Sequence, residues 1–306
     1  MRVAVLIPCY NEQASIESVV RSFLDSLPGS TVYVYDNNST DRTAEAAAAA
    51  GAVVRRESRK GKGNVIQRMF ADVDADVYVL VDGDDTYNAE DAPGMVQKLC
   101  EEQLDVVNGM RVASNDSAYR PGHRFGNSFL SWLVSVIFGG KIADMMSGFK
   151  VFSRRFVKTF ASPASGFEID TALVVHALTL GMPVAEVHTP YKERPPGSSS
   201  KLNTFRDGWI ILWSIFRLLL EERAAYLFGV LTIISVGVAV YLGKQGALDF
   251  LSSGSFERSP GLMLAVRFLT LAFLSAAFGL ILELIFLARR EAKRLQYLSL
   301  SPPPSR

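Results

Sequence analysis

The chain has 306 residues, 49% hydrophobic and 21% charged, with a net charge of +1 and a mean hydropathy of +0.18. Its length suits about two domains. The near-neutral balance excludes a strongly basic nucleic-acid binder and an acidic disordered chain, and two cysteines, Cys9 and Cys100, read as reduced thiols, exclude a disulfide-stapled scaffold and a four-cysteine zinc site.

In chain order, residues 3–7 form a short apolar, β-branched run ended by Pro8, which predicts a buried strand. Ile16, Val19, Val20, Phe23, Leu24 and Leu27 then recur at helical spacing, and Pro28-Gly29 stops that helix. Residues 31–35 predict a second strand, the Ala-rich segment 43–50 a helix stopped by Gly51, and 52–54 a short strand. A helix over 64–71, a strand over 77–81, a helix over 92–102 and a strand over 105–107 follow. Strand-helix alternation of this kind predicts an α/β domain with a mainly parallel sheet over residues 1–204.

The remainder is greasier. Residues 125–140 and 209–220, the latter with Trp209 and Trp213, read as helices lying in a membrane interface, with a core-helix reading as the alternative. The second belongs to a juxtamembrane amphipathic segment, 205–223. Residues 224–243 carry no charge and would be about 30 Å long as a helix, enough to cross a bilayer. Residues 262–288 repeat the pattern with only Arg267 and Glu283 inside, near opposite ends, so 224–288 reads as a two-helix transmembrane hairpin. A buried core pair is the alternative. The tail 289–306 opens with Arg289, Arg290, Lys293 and Arg294, and this basic excess predicts a cytoplasmic tail and, across two spans, a cytoplasmic N-terminal domain on the inner membrane. No signal peptide is expected, because the run 3–7 is too short, and 301–306 is Pro-rich and expected to be disordered.

In parallel sheets of this type ligands bind at the carboxyl ends of the strands. Pro8-Cys9-Tyr10-Asn11-Glu12 follows the first strand, Asp36-Asn37-Asn38-Ser39-Thr40-Asp41 the second, and Asp82-Gly83-Asp84-Asp85 the fourth. Asp and Asn are ordinary turn residues, and Asp41 reads as a helix cap. Three such turns on one edge are harder to assign to turn chemistry alone. Asp82 and Asp84 could share a hard divalent cation, Mg2+ or Mn2+, which prefers one or two carboxylates plus phosphate oxygens. The alternative is a solvated acidic turn. His123, His176 and His188 show no metal-ligand spacing.

With these motifs in order, the chain resembles family-2 glycosyltransferases of the GT-A fold. It is most similar to the branch of dolichyl-phosphate mannose synthase and bacterial polyprenyl-phosphate glycosyltransferases. The resemblance rests on Ile7-Pro8-Cys9-Tyr10-Asn11-Glu12, Asp36-Asn37-Asn38-Ser39-Thr40-Asp41, Gly61-Lys62-Gly63-Asn64, Asp82-Gly83-Asp84, Met146-Ser147-Gly148-Phe149 and Gly197-Ser198-Ser199-Ser200-Lys201-Leu202. It spans about residues 1–215. It implies nucleotide binding by Pro8, Tyr10 and Glu12, base or ribose contacts by Asp36 and Asn38, and a metal on Asp82 and Asp84. Lys62 joins the donor-binding set. Ser200 and Lys201 match a loop that closes over the diphosphate. Arg194, beside Pro195-Pro196 and a Gly-Ser-rich stretch, reads physically as part of a basic lid over a negative leaving group, with an exposed linker as the alternative. Arg111, Arg124, Lys141 and Ser147 fall near the region that the resemblance assigns to the acceptor phosphate, and Arg124 alternatively anchors the interfacial helix. Asp144 matches a position near the reacting centre, as a base or positioning group.

The reaction so implied is inverting transfer of a sugar from a UDP- or GDP-linked donor to a polyprenyl phosphate. Homo-oligomerisation is a further implication, since family members often self-associate. A phosphate monoester is mostly dianionic at pH 7 and needs little general-base help. A sugar hydroxyl would need a carboxylate base. Two alternatives are a non-processive membrane glycosyltransferase using a lipid or glycan hydroxyl, and a non-catalytic membrane scaffold. Processive synthases of the family usually carry a Q-x-x-R-W motif, which this sequence lacks.

Overall fold

The computed structural model describes residues 1–113, 123–140, 142–196, 204–253 and 260–304. The chain forms two compact units, one of residues 1–215 with 293–306 and one of residues 216–292.

Among the described residues the first unit holds a seven-stranded sheet: β1 (Val3–Cys9), β2 (Thr31–Asp36), β3 (Val53–Arg56), β4 (Val77–Leu80), β5 (Val106–Ala113), β6 (Lys150–Ser153) and β7 (Val184–Tyr191). The order is β3-β2-β1-β4-β6-β5-β7, and only β6 runs antiparallel to its neighbours. This is the mainly parallel GT-A arrangement that the motifs imply. Helices α1 (Ile16–Ser26), α2 (Thr43–Ala49), α3 (Lys62–Asp72), α4 (Ala92–Glu101), α5 (His123–Phe138), α6 (Arg154–Thr159) and α7 (Ile169–Leu180) belong to the same unit.

Side chains of a strand alternate between faces. Val5, Ile7 and Cys9 of β1 therefore pack with α1 and α4 in one core, and Ala4 and Leu6 pack with α3, α6 and α7 in the other. Phe23 meets Phe149 edge-on in the first core, and Phe152 stacks on Phe156 at 4.4 Å in the second. Cys9 pairs with Asp36 and Leu6 with Leu80, so the strands carrying the three polar turns end on one edge.

Several elements differ from the sequence expectation. Strand β3 lies one residue later than expected, α3 starts at Lys62 rather than 64, and β5 runs on to Ala113. The antiparallel β6, the edge strand β7 and the buried α7 were not expected at all. Helix α8 (Thr204–Glu222) leads into the second unit and exposes Trp209 and Trp213. α5 likewise exposes Phe129, Trp132 and Val136.

In the second unit, α9 (Ala224–Ser253) and α10 (Pro260–Leu298) are both long and apolar enough to cross a membrane. Most of their apolar side chains, including Ile233, Tyr241 and Phe273, face outward, unlike the core helices of a globular domain. They pack through small residues. A Cβ on Gly279 would come within 2.7 Å of Phe228, and the Ser275 hydroxyl donates to the Phe228 carbonyl. Glu283 accepts from the Ala225 N–H at 3.3 Å, which satisfies a donor at the start of α9.

The tail is also more ordered than its composition suggests. α10 continues as a helix to Leu298, and residues 293–306 group with the first unit. Tyr297 donates to the buried Asp105 at 2.7 Å, with the Arg155 guanidinium 4.7 Å from its ring centre. Residues 301–304 form neither helix nor strand, and Pro303 is buried.

Candidate active site

The turns after β1 and β2 are joined by reciprocal bonds. Asn11, in the left-handed region at φ 53°, donates its N–H to Ser39 Oγ and accepts from Thr40 N. Glu12 N donates to Thr43 Oγ1, and the Asp36 carboxylate accepts from Ser39 N. Asn37 ties a third segment in: its amide donates to the Glu57 and Arg59 carbonyls, and its Oδ1 accepts from Gly61 N at 2.7 Å. Asn38, at φ 66°, donates to the Ser58 carbonyl and accepts from Arg56. Its amide therefore builds the wall of 56–58. Pro8 is partly covered, Tyr10 is exposed, and Glu12 and Asp36 are buried at this edge. Asp41 accepts from Thr43 N at 3.0 Å, but the residue at the N-cap of α2 is Arg42, so Asp41 braces the turn before the helix rather than capping it.

Asp82 and Asp84 leave β4 through a crowded turn. A Cβ at Gly83 would lie 2.7 Å from Cys9 Sγ, and one at Gly148 would strike the Asp82 carboxylate. An added Cβ at either position would force the side chain it meets to move. Each aspartate meets a cationic side chain. Lys62 Nζ is 2.9 Å from Asp82 Oδ1 and 3.1 Å from Asp170 Oδ2. Arg194 is 2.5 Å from Asp84 Oδ2 and 4.0 Å from Glu12 Oε1. Asp84 also accepts from the Thr86 hydroxyl at 2.6 Å. Burial first, and then the neighbouring Asp82, push the Asp84 carboxyl above the ordinary carboxylate range. Burial and the acids Glu12, Asp36, Asp82 and Asp84 push the Cys9 thiol up, so it is a packing group beneath the site. Burial opposes the charge on Lys62, but Asp170 and Asp82 outweigh it and hold the ammonium protonated.

On the other side of the cleft, Arg111 from β5 grips Asp144. Its Nε and Nη2 donate at 2.8 and 2.7 Å, and its backbone N–H donates at 3.0 Å. Asn127 of α5 adds a bond at 3.0 Å, and the Arg111 guanidinium lies 5.4 Å from the Tyr191 ring centre. Burial alone would raise the Asp144 carboxyl, but Arg111 prevails and holds it below the usual range. The loop after Asp144 is held from inside. Ser147 Oγ donates to the Gly109 carbonyl, Gly148 N donates to the Tyr87 hydroxyl at 2.6 Å, and Lys150 Nζ donates to the carbonyls of Met145 and Ser147. Burial lowers Lys150 to about 8, against the pull of Asp170 and Asp144.

Tyr10, Glu12, Asp36, Asn38, Lys62, Asp82, Asp84 and Arg194 thus come from four neighbouring turns and the segment after β7. Arg111 and Asp144 form a pair rather than two separate groups. Ser147, expected at an acceptor phosphate, is fully buried, with its hydroxyl bonded to Gly109, so it shapes the loop instead. Lys141, Ser200 and Lys201 lie outside the described residues, as does the side chain of Arg124 on α5. Sequence reasoning missed Asn37, Tyr87, Asn127, Lys150 and Asp170. Only Asn37 sat in a recognised motif, and Asp170 looks like an ordinary first-turn acid of an apolar helix.

A family model described as "Glycosyl transferase family 2" matches residues 4–160. "Glycosyltransferase AglJ" of Haloferax volcanii is 31% identical over 309 residues, covering 97% of this chain and 98% of its own. The "Dolichyl-phosphate hexose transferase" of the same organism is 30% identical over 221 residues, covering 72% of this chain and 95% of its own. The solved structure of glucosyl-3-phosphoglycerate synthase from Mycobacterium tuberculosis with Mn2+, uridine diphosphate and glucosyl-3-phosphoglycerate superposes with a TM-score of 0.58 at 24% identity, covering 71% of this chain and 78% of that one, and so shares the fold. From the strand-end acids, the GT-A sheet and these relatives it follows that the chain belongs to glycosyl transferase family 2 and is a glycosyltransferase.

Proposed function

We propose that this enzyme transfers a sugar, with inversion, from a UDP- or GDP-linked donor to a polyprenyl phosphate at the cytoplasmic face of the membrane. The observation that carries this reading is one catalytic domain with a paired acidic and basic cleft, on the same chain as two apolar helices of membrane-spanning length. A relative named dolichyl-phosphate hexose transferase supports a lipid-phosphate acceptor. In this reading α9 and α10 span the bilayer, and α5 and α8 lay their exposed aromatic faces in its interface.

Pro8, Tyr10, Glu12, Asp36 and Asn38 frame the nucleoside. The oxygens of Asp82 and Asp84 fit a hard divalent ion: two carboxylates lie at one strand end, and the buried Asp84 is pushed toward protonation by its neighbour, a conflict that a cation relieves. Mg2+ or Mn2+ held there would supply charge neutralisation for the departing diphosphate. The Mn2+ in the solved structural relative supports this choice of ion. Arg194, with Ser200 and Lys201, covers the diphosphate. Arg111, with Arg124 and Lys141, receives the acceptor phosphate.

Asp144 fixes the Arg111 fork for that task. Because its own carboxyl is held below the usual range, it positions Arg111 and is a poor proton acceptor. A dianionic phosphate needs no strong base, so positioning and charge carry the step.

The test is a transfer assay with purified full chain, undecaprenyl phosphate, Mg2+ or Mn2+ and a panel of UDP- and GDP-sugars, read by product mass. The expected product is a polyprenyl monophosphate sugar with release of nucleoside diphosphate. Sugar found only on a hydroxyl acceptor would overturn the proposal.

A further inference from the structure

Lys62 lies between two carboxylates of different exposure. The Asp82 side chain is 31% exposed at the cleft, whereas that of Asp170 is only 3% exposed, on the first turn of α7. Asp170 is therefore too deep to touch a ligand, and whatever it does at the cleft passes through Lys62. Its two oxygens take bonds from Lys62 Nζ at 3.4 and 3.1 Å.

The backbone holds this contact in place. Gly63 N and Asn64 N donate to the Ser165 carbonyl, and Gln67 donates to the Ala164 carbonyl at 2.9 Å. A Cβ at Gly61 would strike the Ser165 carbonyl, and one at Gly63 the Ala164 carbonyl. Glu168 in turn accepts from Ser165 N and Gly166 N. The Gly61-Lys62-Gly63 turn is thus pressed onto the segment that opens α7, and Lys62 and Asp170 arrive as one rigid unit. Arg194 differs: it reaches Asp84 from a stretch without helix or strand after β7.

Charge then decides what Asp82 can do. A lysine facing Asp82 alone would cancel it. With Asp170 on its other side, Lys62, Asp82 and Asp170 together carry one negative charge, and the exposed member is Asp82. Lys150, the other buried cation near Asp170, has its ammonium bonded to the Met145 and Ser147 carbonyls. We propose that Asp170 is a positioning residue: its buried negative charge engages Lys62, so that Asp82 keeps its own charge for the divalent cation and diphosphate of the donor. This rests on the reading of Asp82 as a metal ligand.

The test is Mn2+ binding by full-length protein in detergent with UDP, read from the paramagnetic resonance signal of free Mn2+, so no turnover is needed. Asp170→Asn makes the trio neutral and is expected to weaken Mn2+ binding by at least about tenfold. Adding Lys62→Gln to it restores one negative charge, and binding should return to within about threefold of the parent chain. Lys62→Gln alone should bind Mn2+ more tightly than that double variant. A merely structural role for Asp170 would not produce rescue by a second buried substitution. The proposal is overturned if Asp170→Asn binds like the parent, or if the double variant stays as weak as the single one. Should Asp170→Asn not fold, equal binding by Lys62→Gln and the double variant overturns it. Asp82→Asn separates the two claims. If it leaves Mn2+ binding unchanged, the metal-ligand reading and this inference fall together. If it weakens binding while Asp170→Asn does not, only the inference falls.

Discussion

A Cβ at position 148 would strike the Asp82 carboxylate, so Gly148→Ala displaces one of the two strand-end acids while sparing every titratable group. The expected result is a fall in kcat/KM of at least about tenfold with the fold retained; unchanged transfer would show that Asp82 tolerates movement. Asp84→Asn keeps the shape but removes the charge, and should cost at least about a hundredfold in kcat/KM. His176 makes a stability prediction. Burial first, and Lys293 second, lower its ring from 6.5 to about 3. Between those values the unfolded chain binds more protons, so stability is full above about pH 6.5 and falls as pH drops, by up to about 1.4 kcal/mol per pH unit. His176→Gln should flatten that slope in thermal unfolding followed from about pH 7 to about pH 5. Equal slopes in both proteins would place the acid sensitivity elsewhere. The residues legible in the sequence were those in polar turns at strand ends. Lys150 and Asp170 were illegible because a buried ion reads as a surface residue until its partners are known.

The early elements were legible because each pairs a short β-branched run with a helical face and a Gly or Pro stop. β6 was not: it has only four residues and opens with a buried lysine, a residue depleted in strands. α7 was missed for the opposite reason, since it is apolar nearly all round and buried on almost every face, which erases the helical period. The end of α10 was read as a basic tail, and its docking was not legible because the contact spans nearly two hundred positions. Tyr297→Phe removes a bond to the buried Asp105 while Ser153 and Arg155 still serve that carboxylate. A loss of about 1.5–3 kcal/mol in unfolding free energy is expected. An unchanged melting temperature would mean that the Tyr297 hydroxyl contributes nothing to the stability of the first unit.

At the scale of the whole molecule, composition separated a globular part from a greasy part, and hydropathy located both long helices, because bilayer thickness sets a length that sequence displays directly. The cleft is different. Its chemistry depends on which cation faces which acid, and the pairs Lys62–Asp82 and Arg194–Asp84 join residues far apart in the chain. Those pairs also define the most direct measurement: a structure of the full chain with Mn2+ and a nucleoside diphosphate, phased so that manganese is located by its anomalous scattering. The predicted result is manganese bound by Asp82 and Asp84, with Arg194 moved from Asp84 to the diphosphate and Lys62 still bridging Asp82 and Asp170. A nucleotide seated in another cleft, with manganese absent from Asp82 and Asp84 and the Arg194–Asp84 pair intact, would contradict it.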